Sequence, residues 1–119
     1  MSKLIAVDFD GVIHRYSKGY CNGAVTDIPN EGAFKTLIQL RKEGYKLTIF
    51  TAREDIYSIR EWIIKYVDQE EAMTPADKKY LKSLTVSNRK PKASYYLDDR
   101  AVKFVDWKST LLFFKLEKK

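Results

Sequence analysis

The stretch that decides the fold is Lys3-Leu-Ile-Ala-Val-Asp-Phe-Asp-Gly-Val12. Its apolar run is short, and acidic residues and Gly11 follow it at once. A short apolar run bounded by polar residues is typical of a strand buried in a parallel sheet. We therefore expect a first strand over Lys3–Asp8 that leads directly into an acidic turn.

Outward from this strand, the apolar spacing alternates between helical and strand patterns. We expect Asn30 to cap the first helix, and Thr74 to cap a short third helix with Pro75 in its first turn. The predicted helices cover Glu31–Glu43, Asp55–Val67, a short segment after Thr74, and Ser109–Leu116, and the further strands cover Lys46–Phe50, Leu84–Val86 and Ser94–Leu97.

This order of elements predicts an α/β fold: a doubly wound, Rossmann-like parallel sheet with helices on both faces and the first strand in the centre. We expect one domain over residues 1–119. Glycine, asparagine and tyrosine residues scattered over about 12–27 predict a small flap, either a loop or a β-hairpin. The intervals between the strands leave no room for a large cap domain.

Composition narrows the class of protein. The chain has 119 residues, of which 45% are hydrophobic and 32% charged, so a disordered chain is excluded. No purely apolar run is longer than Leu111–Phe114, which is far below the ~20 residues that span a bilayer. Cys21 is the single cysteine, which excludes an internal disulfide framework. We expect a cytoplasmic protein with no membrane partner, of unknown oligomeric state.

The formal net charge is +6, and the excess lies in the second part of the chain. Residues 76–119 carry 12 Lys and Arg against 5 Asp and Glu. Such an excess can attract partners that carry phosphate, including nucleic acid. A solvated lysine-rich surface is the alternative, and it is favoured because no predicted helix carries a dense basic stripe.

Polar residues follow the predicted strands at the points where they end. They are Asp8 and Asp10, then Thr51 and Arg53, then Lys90, and finally Asp98, Asp99 and Arg100. The carboxyl ends of parallel strands meet at one edge, where such sheets bind ligands. Carboxylates gathered there repel one another unless a cation compensates, and oxygen ligands suit Mg²⁺. With a lysine and a threonine to hold phosphate oxygens, the residues predict Mg²⁺-assisted phosphoryl transfer.

Four of these segments resemble the motifs of the haloacid dehalogenase (HAD) superfamily of phosphatases, in the order in which that family carries them. They are Asp8-Phe9-Asp10-Gly11-Val12, Thr48-Ile49-Phe50-Thr51, Lys90 before Pro91, and Tyr96-Leu97-Asp98-Asp99. They span nearly the whole chain. A lone pair of aspartates is frequent in proteins, whereas the ordered set of four is specific.

The resemblance implies a role for each matched residue. Asp8 is expected to be the nucleophile that takes the phosphoryl group, and Asp10 to protonate the leaving oxygen and then deprotonate the attacking water. Thr51 and Lys90 complete the catalytic set. The expected substrate-binding residues are Thr51, Ala52, Arg53 and Lys90, and the expected Mg²⁺ ligands are Asp8, the backbone carbonyl of Asp10, Asp98 and Asp99, with Asp99 favoured over Asp98 as the direct ligand.

Alternatives stand beside several of these roles. Thr51 can cap the following helix, and Lys92 competes with Lys90 for the third motif. Arg53 either clamps the substrate or orients the carboxylates, and the orienting role is favoured. His14 is expected to be a partly exposed flap residue rather than a specificity residue. Trp62 and Trp107 are expected to pack in the core.

The sequence thus predicts a Mg²⁺-dependent phosphomonoester hydrolase of the small, capless HAD type, acting on a phosphorylated small molecule or a nucleic-acid end. The triplet Asp98-Asp99-Arg100 also resembles the 3′-phosphatase domain of phage-type polynucleotide kinase-phosphatases, so nucleotides and nucleic-acid 3′-phosphates are candidate substrates. The alternative is a non-catalytic phospho-acceptor or a phosphate-binding scaffold that retains the motifs.

Overall fold

The computed structural model describes residues 3–19, 22–98, 102–103 and 106–118. The strands are β1 (Leu4–Asp8), β2 (Lys46–Phe50), β3 (Val86–Ser87), β4 (Tyr95–Asp98) and β5 (Val102–Lys103), and the helices are α1 (Ala33–Lys42), α2 (Ile56–Asp68), α3 (Pro75–Lys82) and α4 (Trp107–Lys118). None of these helices combines the length and the apolar character that a bilayer crossing requires.

The strands form one parallel sheet in the order β3-β2-β1-β4-β5, with β1 in the centre. The predicted α/β class with a parallel, Rossmann-like sheet and a central first strand is confirmed. β5 was not predicted, because two residues are too few to show a period. Since all five strands run the same way, their carboxyl ends share one edge of the sheet, which we call the rim.

The position of β1 in the core explains why its sequence is a continuous apolar run. Ile5, Ala6 and Val7 are completely buried because β1 has a neighbouring strand on each side and packing on both faces. The buried hydrophobic side chains form one cluster that takes in residues from β1, β2 and all four helices. Trp62 and Trp107 are buried within it, as predicted.

Of the two helix caps that the sequence predicts, one is confirmed and one is wrong. Thr74 caps α3 by accepting a hydrogen bond from the Asp77 N–H, and Pro75 is the first residue of that helix, as predicted. Asn30 does not cap α1. Its side-chain amide instead donates to the Val12 carbonyl at 2.7 Å, and Gly32, with φ of +79°, precedes the helix. Thr51 does not cap α2, because Asp55 occupies that position.

The described residues of the predicted flap, 12–19 and 22–27, form a loop. Its described residues belong to no strand and make only isolated bridges, which decides between the two forms that were predicted. Cys21 lies outside the described residues. The loop is held to the core by the Trp62 indole, whose Nε1–H donates to the Asp27 carbonyl at 2.8 Å. This bond fixes the end of the loop on α2.

The Asp27 carboxylate closes the same loop from inside. Its Oδ2 accepts hydrogen bonds from the hydroxyl and the backbone N–H of Ser17, and its Oδ1 accepts one from the Ile28 N–H. These donors, with the Ser17 hydroxyl first, lower the pKa of Asp27 to about 2. The carboxylate therefore stays ionised at neutral pH while it joins Ser17, within the loop, to the end of the loop at Asp27.

Candidate functional site

Asp8 and Asp98 are neighbours at the rim. The register pairs Val7 of β1 with Leu97 of β4, so the next positions on the two strands are Asp8 and Asp98. Adjacent strands lie about 4.8 Å apart, and residues on one rung project to the same side of the sheet. Asp98 is 8% exposed. Two carboxylates predicted from different motifs are thus brought side by side.

Lys90 reaches this pair from the loop after β3. Its Nζ lies 3.9 Å from Oδ2 of Asp98, with 41% of the lysine side chain exposed. The ammonium also lies over two aromatic rings, 4.4 Å from the centroid of Tyr96 and 5.9 Å from that of Phe50. These rings belong to β4 and β2, the two neighbours of β1, so the lysine lies above the end of the central strand. Lys92 is exposed and makes no such contact among the described residues.

A tight turn follows β1 and sets the direction of the next carboxylate. The backbone N–H groups of Val12, Ile13 and His14 all point at the Phe9 carbonyl, at 3.2, 3.0 and 2.9 Å. Gly11 has φ of +80° and donates its N–H to the His14 carbonyl at 2.8 Å. Only glycine adopts that backbone conformation without strain. The turn folds the chain back so that the residues at positions 10 and 14 meet.

Asp10 is held at this turn by an arginine from the loop after β2. Nε of Arg53 donates to Oδ2 of Asp10 at 2.7 Å, and Nη2 donates to Oδ1 at 3.0 Å. This is the two-point geometry in which a guanidinium matches a carboxylate, and the arginine side chain is only 11% exposed. Arg53 therefore orients a carboxylate, which is the alternative that the sequence favoured over a substrate clamp.

His14 contradicts the expectation of a partly exposed flap residue. It is 1% exposed, and its ring stacks on Phe9 and packs edge-on against Trp62, with centroids 5.2 and 5.4 Å apart. Nδ1 lies 2.8 Å from Oδ1 of Asp10. The turn after β1 drives the ring inward, because three N–H groups close on one carbonyl. The one feature of the sequence that could have indicated this contact is that His14, the single histidine, lies four residues after Asp10.

The hydrogen bonds of His14 also assign its protons. Nε2 accepts a hydrogen bond from the backbone N–H of Asp27 at 3.1 Å, and a backbone N–H can only donate. Nε2 is therefore an acceptor, and the Nδ1 side of the ring donates to Asp10. This arrangement corresponds to the tautomer that carries its proton on Nδ1.

Thr51 and Ala52 lie between these groups at the end of β2. The Thr51 N–H donates to the Ser87 carbonyl at 3.0 Å, which joins the ends of β2 and β3. Its Oγ1 accepts the Arg53 N–H at 3.1 Å, and the residue is 3% exposed. A hydroxyl that accepts one bond can still donate to a phosphate oxygen. Ala52 is exposed directly beyond it.

Asp99, which the resemblance favoured as the direct metal ligand, lies outside the described residues, as does Arg100. Within residues 3–19, 22–98, 102–103 and 106–118, no group of three or more His, Cys, Asp or Glu is placed to hold a metal. Asp8 and Asp98 form a pair. Magnesium is commonly bound by one or two carboxylates, with water and substrate phosphate completing the shell. The described residues therefore bring two of the predicted Mg²⁺ ligands, Asp8 and Asp98, to adjacent strand ends.

The rim combines three carboxylates, two cations and one buried hydroxyl from four separate segments. The charges are arranged unevenly, since Arg53 is committed to Asp10 and Lys90 lies near Asp98. Such a site can bind a phosphoryl group through Lys90 and offer it a carboxylate oxygen as a nucleophile. A second carboxylate within two residues can move a proton.

Comparison with known proteins adds a structural likeness. No protein-family model matches the sequence, and no curated protein matches it. A solved structure of a conserved protein coded by a locus of Bacteroides thetaiotaomicron is similar, with 23% identity and a TM-score of 0.62. The likeness covers 100% of this chain and 94% of that one. At this identity it supports the fold alone.

Proposed function

We propose that this chain is a Mg²⁺-dependent phosphomonoester hydrolase that works through an aspartyl-phosphate on Asp8, as HAD phosphatases do. One observation carries the proposal: two carboxylates two residues apart have different partners. Asp8 lies beside Asp98, whereas Asp10 is bound by Arg53 and His14. Two carboxylates in two environments suit the two roles of nucleophile and proton carrier.

The metal would be held by the carboxylates of Asp8 and Asp98 and by the backbone carbonyl of Asp10. Asp99 remains a predicted ligand from the fourth motif. When bound, Mg²⁺ offsets the negative charge that the carboxylates and the phosphoryl group bring together.

The protein residues account for the remaining chemistry. A carboxylate oxygen of Asp8 attacks phosphorus, the bond from phosphorus to the leaving oxygen breaks, and Asp10 gives that oxygen a proton. Water then attacks the same phosphorus, Asp10 takes its proton, and the bond to Asp8 breaks to release phosphate. Lys90 and the Thr51 hydroxyl hold the phosphoryl oxygens throughout, with Ala52 beside them.

The finer description of the fold belongs to the same proposal. Helix α1 contacts both α3 and α4, and α2 contacts α3. These contacts do not divide the helices between two faces, so the doubly wound sheet with helices on both faces is proposed from the resemblance alone. A capless site is supported by the contents of the two intervals in which the superfamily inserts caps. Residues 12–47 hold the flap loop and α1, and residues 52–89 hold α2, α3 and β3. The lone cysteine is compatible with a cytoplasmic enzyme.

A site without a cap favours particular substrates. Either the substrate is large, or a neighbouring subunit covers the rim, or the rim stays open. The basic excess of residues 76–119 supports a substrate that carries several phosphates, such as a nucleotide or a nucleic-acid 3′-phosphate. These substrates therefore belong in the first assays, beside sugar phosphates.

The test is phosphate release from that panel with Mg²⁺ and with chelator. We expect turnover only with Mg²⁺, and we expect Asp8→Asn to reduce it to background, on the order of 10³-fold or more, because the nucleophile is gone. Asp68→Asn is the matched control, since Asp68 is exposed and pairs with Lys82 at 2.8 Å on the helical surface. It should leave turnover unchanged. A wild-type chain that releases phosphate equally well in chelator contradicts the proposal.

Rapid-quench labelling identifies the intermediate. With a ³²P-labelled substrate, we expect acid-stable label on Asp8 that appears and then decays. Label on another residue overturns the mechanism. Label that accumulates on Asp8 without being released would instead identify the alternative, a phospho-acceptor that does not turn over.

A further inference from the structure

Arg53 and His14 have the same unusual arrangement of contacts. Each side chain binds the Asp10 carboxylate with one edge and the backbone of the flap loop with the other. His14 donates from Nδ1 to Asp10 and accepts the Asp27 N–H at Nε2. Arg53 donates from Nε and Nη2 to Asp10, and from Nη1 to the Gly23 carbonyl at 2.5 Å. The flap and Asp10 are therefore joined by two side-chain bridges.

Among the described residues, the bridges leave the Asp10 carboxylate one open acceptor site. A carboxylate offers about four acceptor sites, two on each oxygen. Oδ1 takes two donors, Nδ1 of His14 and Nη2 of Arg53, while Oδ2 takes one, Nε of Arg53. The remaining site is on Oδ2. That site can accept a further hydrogen bond without displacing any of the three bridging bonds.

The two bridging side chains are shielded from solvent, although the Arg53–Gly23 hydrogen bond itself is exposed. The side chains of His14 and Arg53 are 2% and 11% exposed. The flap end of the His14 bridge is itself anchored, since the Trp62 indole donates to the Asp27 carbonyl. The Arg53 guanidinium also lies 5.8 Å from the centroid of the Tyr16 ring, within the flap. A displacement of the flap backbone at Gly23 or Asp27 must therefore move or break a bond to Asp10.

We propose that Arg53 and His14 are positioning residues that transmit the placement of the flap to Oδ2 of Asp10, so that proton transfer depends on the flap. The inference rests on the proposed function for its catalytic part, because it assigns the proton to the residue that serves the leaving oxygen. Its structural part, the mechanical link between Asp10 and the flap, is independent of any activity.

The structural part is tested by hydrogen exchange of single amides. The Asp27 N–H is protected by Nε2 of His14, whose ring is held in turn by Asp10. We expect Asp10→Ala to speed exchange of the Asp27 amide at least about tenfold, because the ring loses its second anchor. The Ile49 amide, which donates to the Thr85 carbonyl within the sheet, is the internal control and should not change. An Asp27 amide as protected in Asp10→Ala as in the wild type overturns the link.

The catalytic part is tested by comparing an alkyl phosphate with an aryl phosphate. An alkoxide leaving group needs a proton far more than a phenolate does, so only a misplaced Asp10 affects the two substrates differently. We expect Arg53→Lys, which loses the two-point geometry, to lower kcat for the alkyl phosphate about tenfold more than for the aryl phosphate. Loss of fold would lower both rates together.

His14 is tested with two variants, of which only one retains a hydrogen-bond donor for Asp10. Phenylalanine keeps a buried ring against Phe9 and Trp62 but removes both hydrogen bonds, whereas asparagine keeps a donor near the place of Nδ1. We expect His14→Phe to show the same selective loss as Arg53→Lys, and His14→Asn to recover most of the alkyl rate. Equal loss for both substrates in Arg53→Lys and His14→Phe, in an active enzyme, overturns the positioning role.

The two arms separate the possible failures. If the wild type hydrolyses no phosphate ester, the proposed function fails with the catalytic part of the inference, and the exchange of the Asp27 amide alone decides the structural link. A second outcome is an active wild type in which Asp10→Ala speeds exchange of the Asp27 amide, but Arg53→Lys and His14→Phe lower the alkyl and aryl rates equally. The flap would then be joined to Asp10 without influencing proton transfer, and the catalytic part would be overturned.

Discussion

Asp10 and Lys90 both come to the rim near Asp8, yet their side chains are held in different ways. Asp10 receives three hydrogen bonds of 2.7 to 3.0 Å from two nearly buried side chains. Lys90 lies 3.9 Å from its carboxylate partner and is 41% exposed. A group that must deliver a proton along one direction needs a fixed orientation, whereas an ammonium that offsets charge acts over a range of positions. The difference in rigidity therefore matches the difference in proposed role.

The largest expected effect is at the rigid position. Asp10→Asn keeps the shape but cannot carry the proton, so we expect a loss of roughly 10²–10⁴-fold for an alkyl phosphate. For an aryl phosphate the loss should be smaller, because the phenolate leaves without help. Steady-state kinetics with the two substrates measures the ratio. An identical loss for both substrates would mean that Asp10 does not supply the proton. It would contradict the different roles proposed for Asp10 and Lys90.

Lys90→Ala tests the mobile position. We expect a loss of roughly 10²–10³-fold, because one preorganised charge on the phosphoryl group is removed. The loss should be the same for alkyl and aryl phosphates, in contrast to Asp10→Asn. Lys92→Ala is the matched control, since Lys92 is the competing lysine of the third motif and is exposed. A larger loss in Lys92→Ala would exchange the roles of the two lysines.

Trp62→Phe tests the hydrogen bond that holds the end of the flap loop to α2. The substitution leaves the Asp27 carbonyl, at the end of the flap, without the indole N–H that it accepts at 2.8 Å. An unsatisfied buried carbonyl costs about 1–3 kcal/mol of unfolding free energy. Urea denaturation measures this loss. Exchange of the Asp27 amide should also increase, and an unchanged amide in a destabilised variant would argue that the indole does not anchor the flap.

Magnesium should stabilise the pair of carboxylates at the rim. At about ten times its Kd, a ligand that binds only the folded chain adds about 1.4 kcal/mol, which raises Tm by about 5 °C for a chain of this size. We expect Asp98→Asn to reduce the shift, since half of the pair loses its charge. Thermal unfolding in Mg²⁺ and in chelator measures it. A Tm that does not respond to Mg²⁺ in the wild type argues against the metal site.

The smallest effect is at the loop closure by Asp27. Because the folded pKa of Asp27 lies near 2, below its ordinary value of 3.8, ionised Asp27 stabilises the fold above pH 3.8. That contribution is lost as the pH falls toward 2. Ser17→Ala removes the first donor, so it should lower Tm at neutral pH, and the gap to the wild type should narrow between pH 4 and pH 2. A gap that is constant with pH would mean that Ser17 does not act through this carboxylate.

Much of the fold was predictable because its signals are local. The buried run of β1, the strand Lys46–Phe50 and the cap at Thr74 each depend on a few neighbouring residues, and each was predicted within one residue. The cap of α1 was predicted wrongly, because Asn30 has a more distant partner, the Val12 carbonyl. β5 has only two residues and depends on pairing with β4.

The site divides in the same way. The neighbourhood of Asp8 and Asp98 was predictable, because parallel strands must end at one edge. The pairing of Arg53 with Asp10 joins residues 43 positions apart, and the sequence offered it only as one of two alternatives. The burial of His14 was missed, since a single histidine in a polar loop carries no periodic signal.

By itself, the sequence determined which residue types stand at the strand ends, and hence that carboxylates, a lysine and a hydroxyl meet at the rim. Only the tertiary structure decided which carboxylate is held and by what. Asp8 and Asp10 are the same residue type. They differ because the register of β1 with β4 places Asp8 beside Asp98, whereas the turn at Gly11 brings Asp10 to Arg53 and His14. The physical reason is that hydrogen-bond partners depend on direction and distance in space, and a chain brings distant residues within 3 Å only after it has folded.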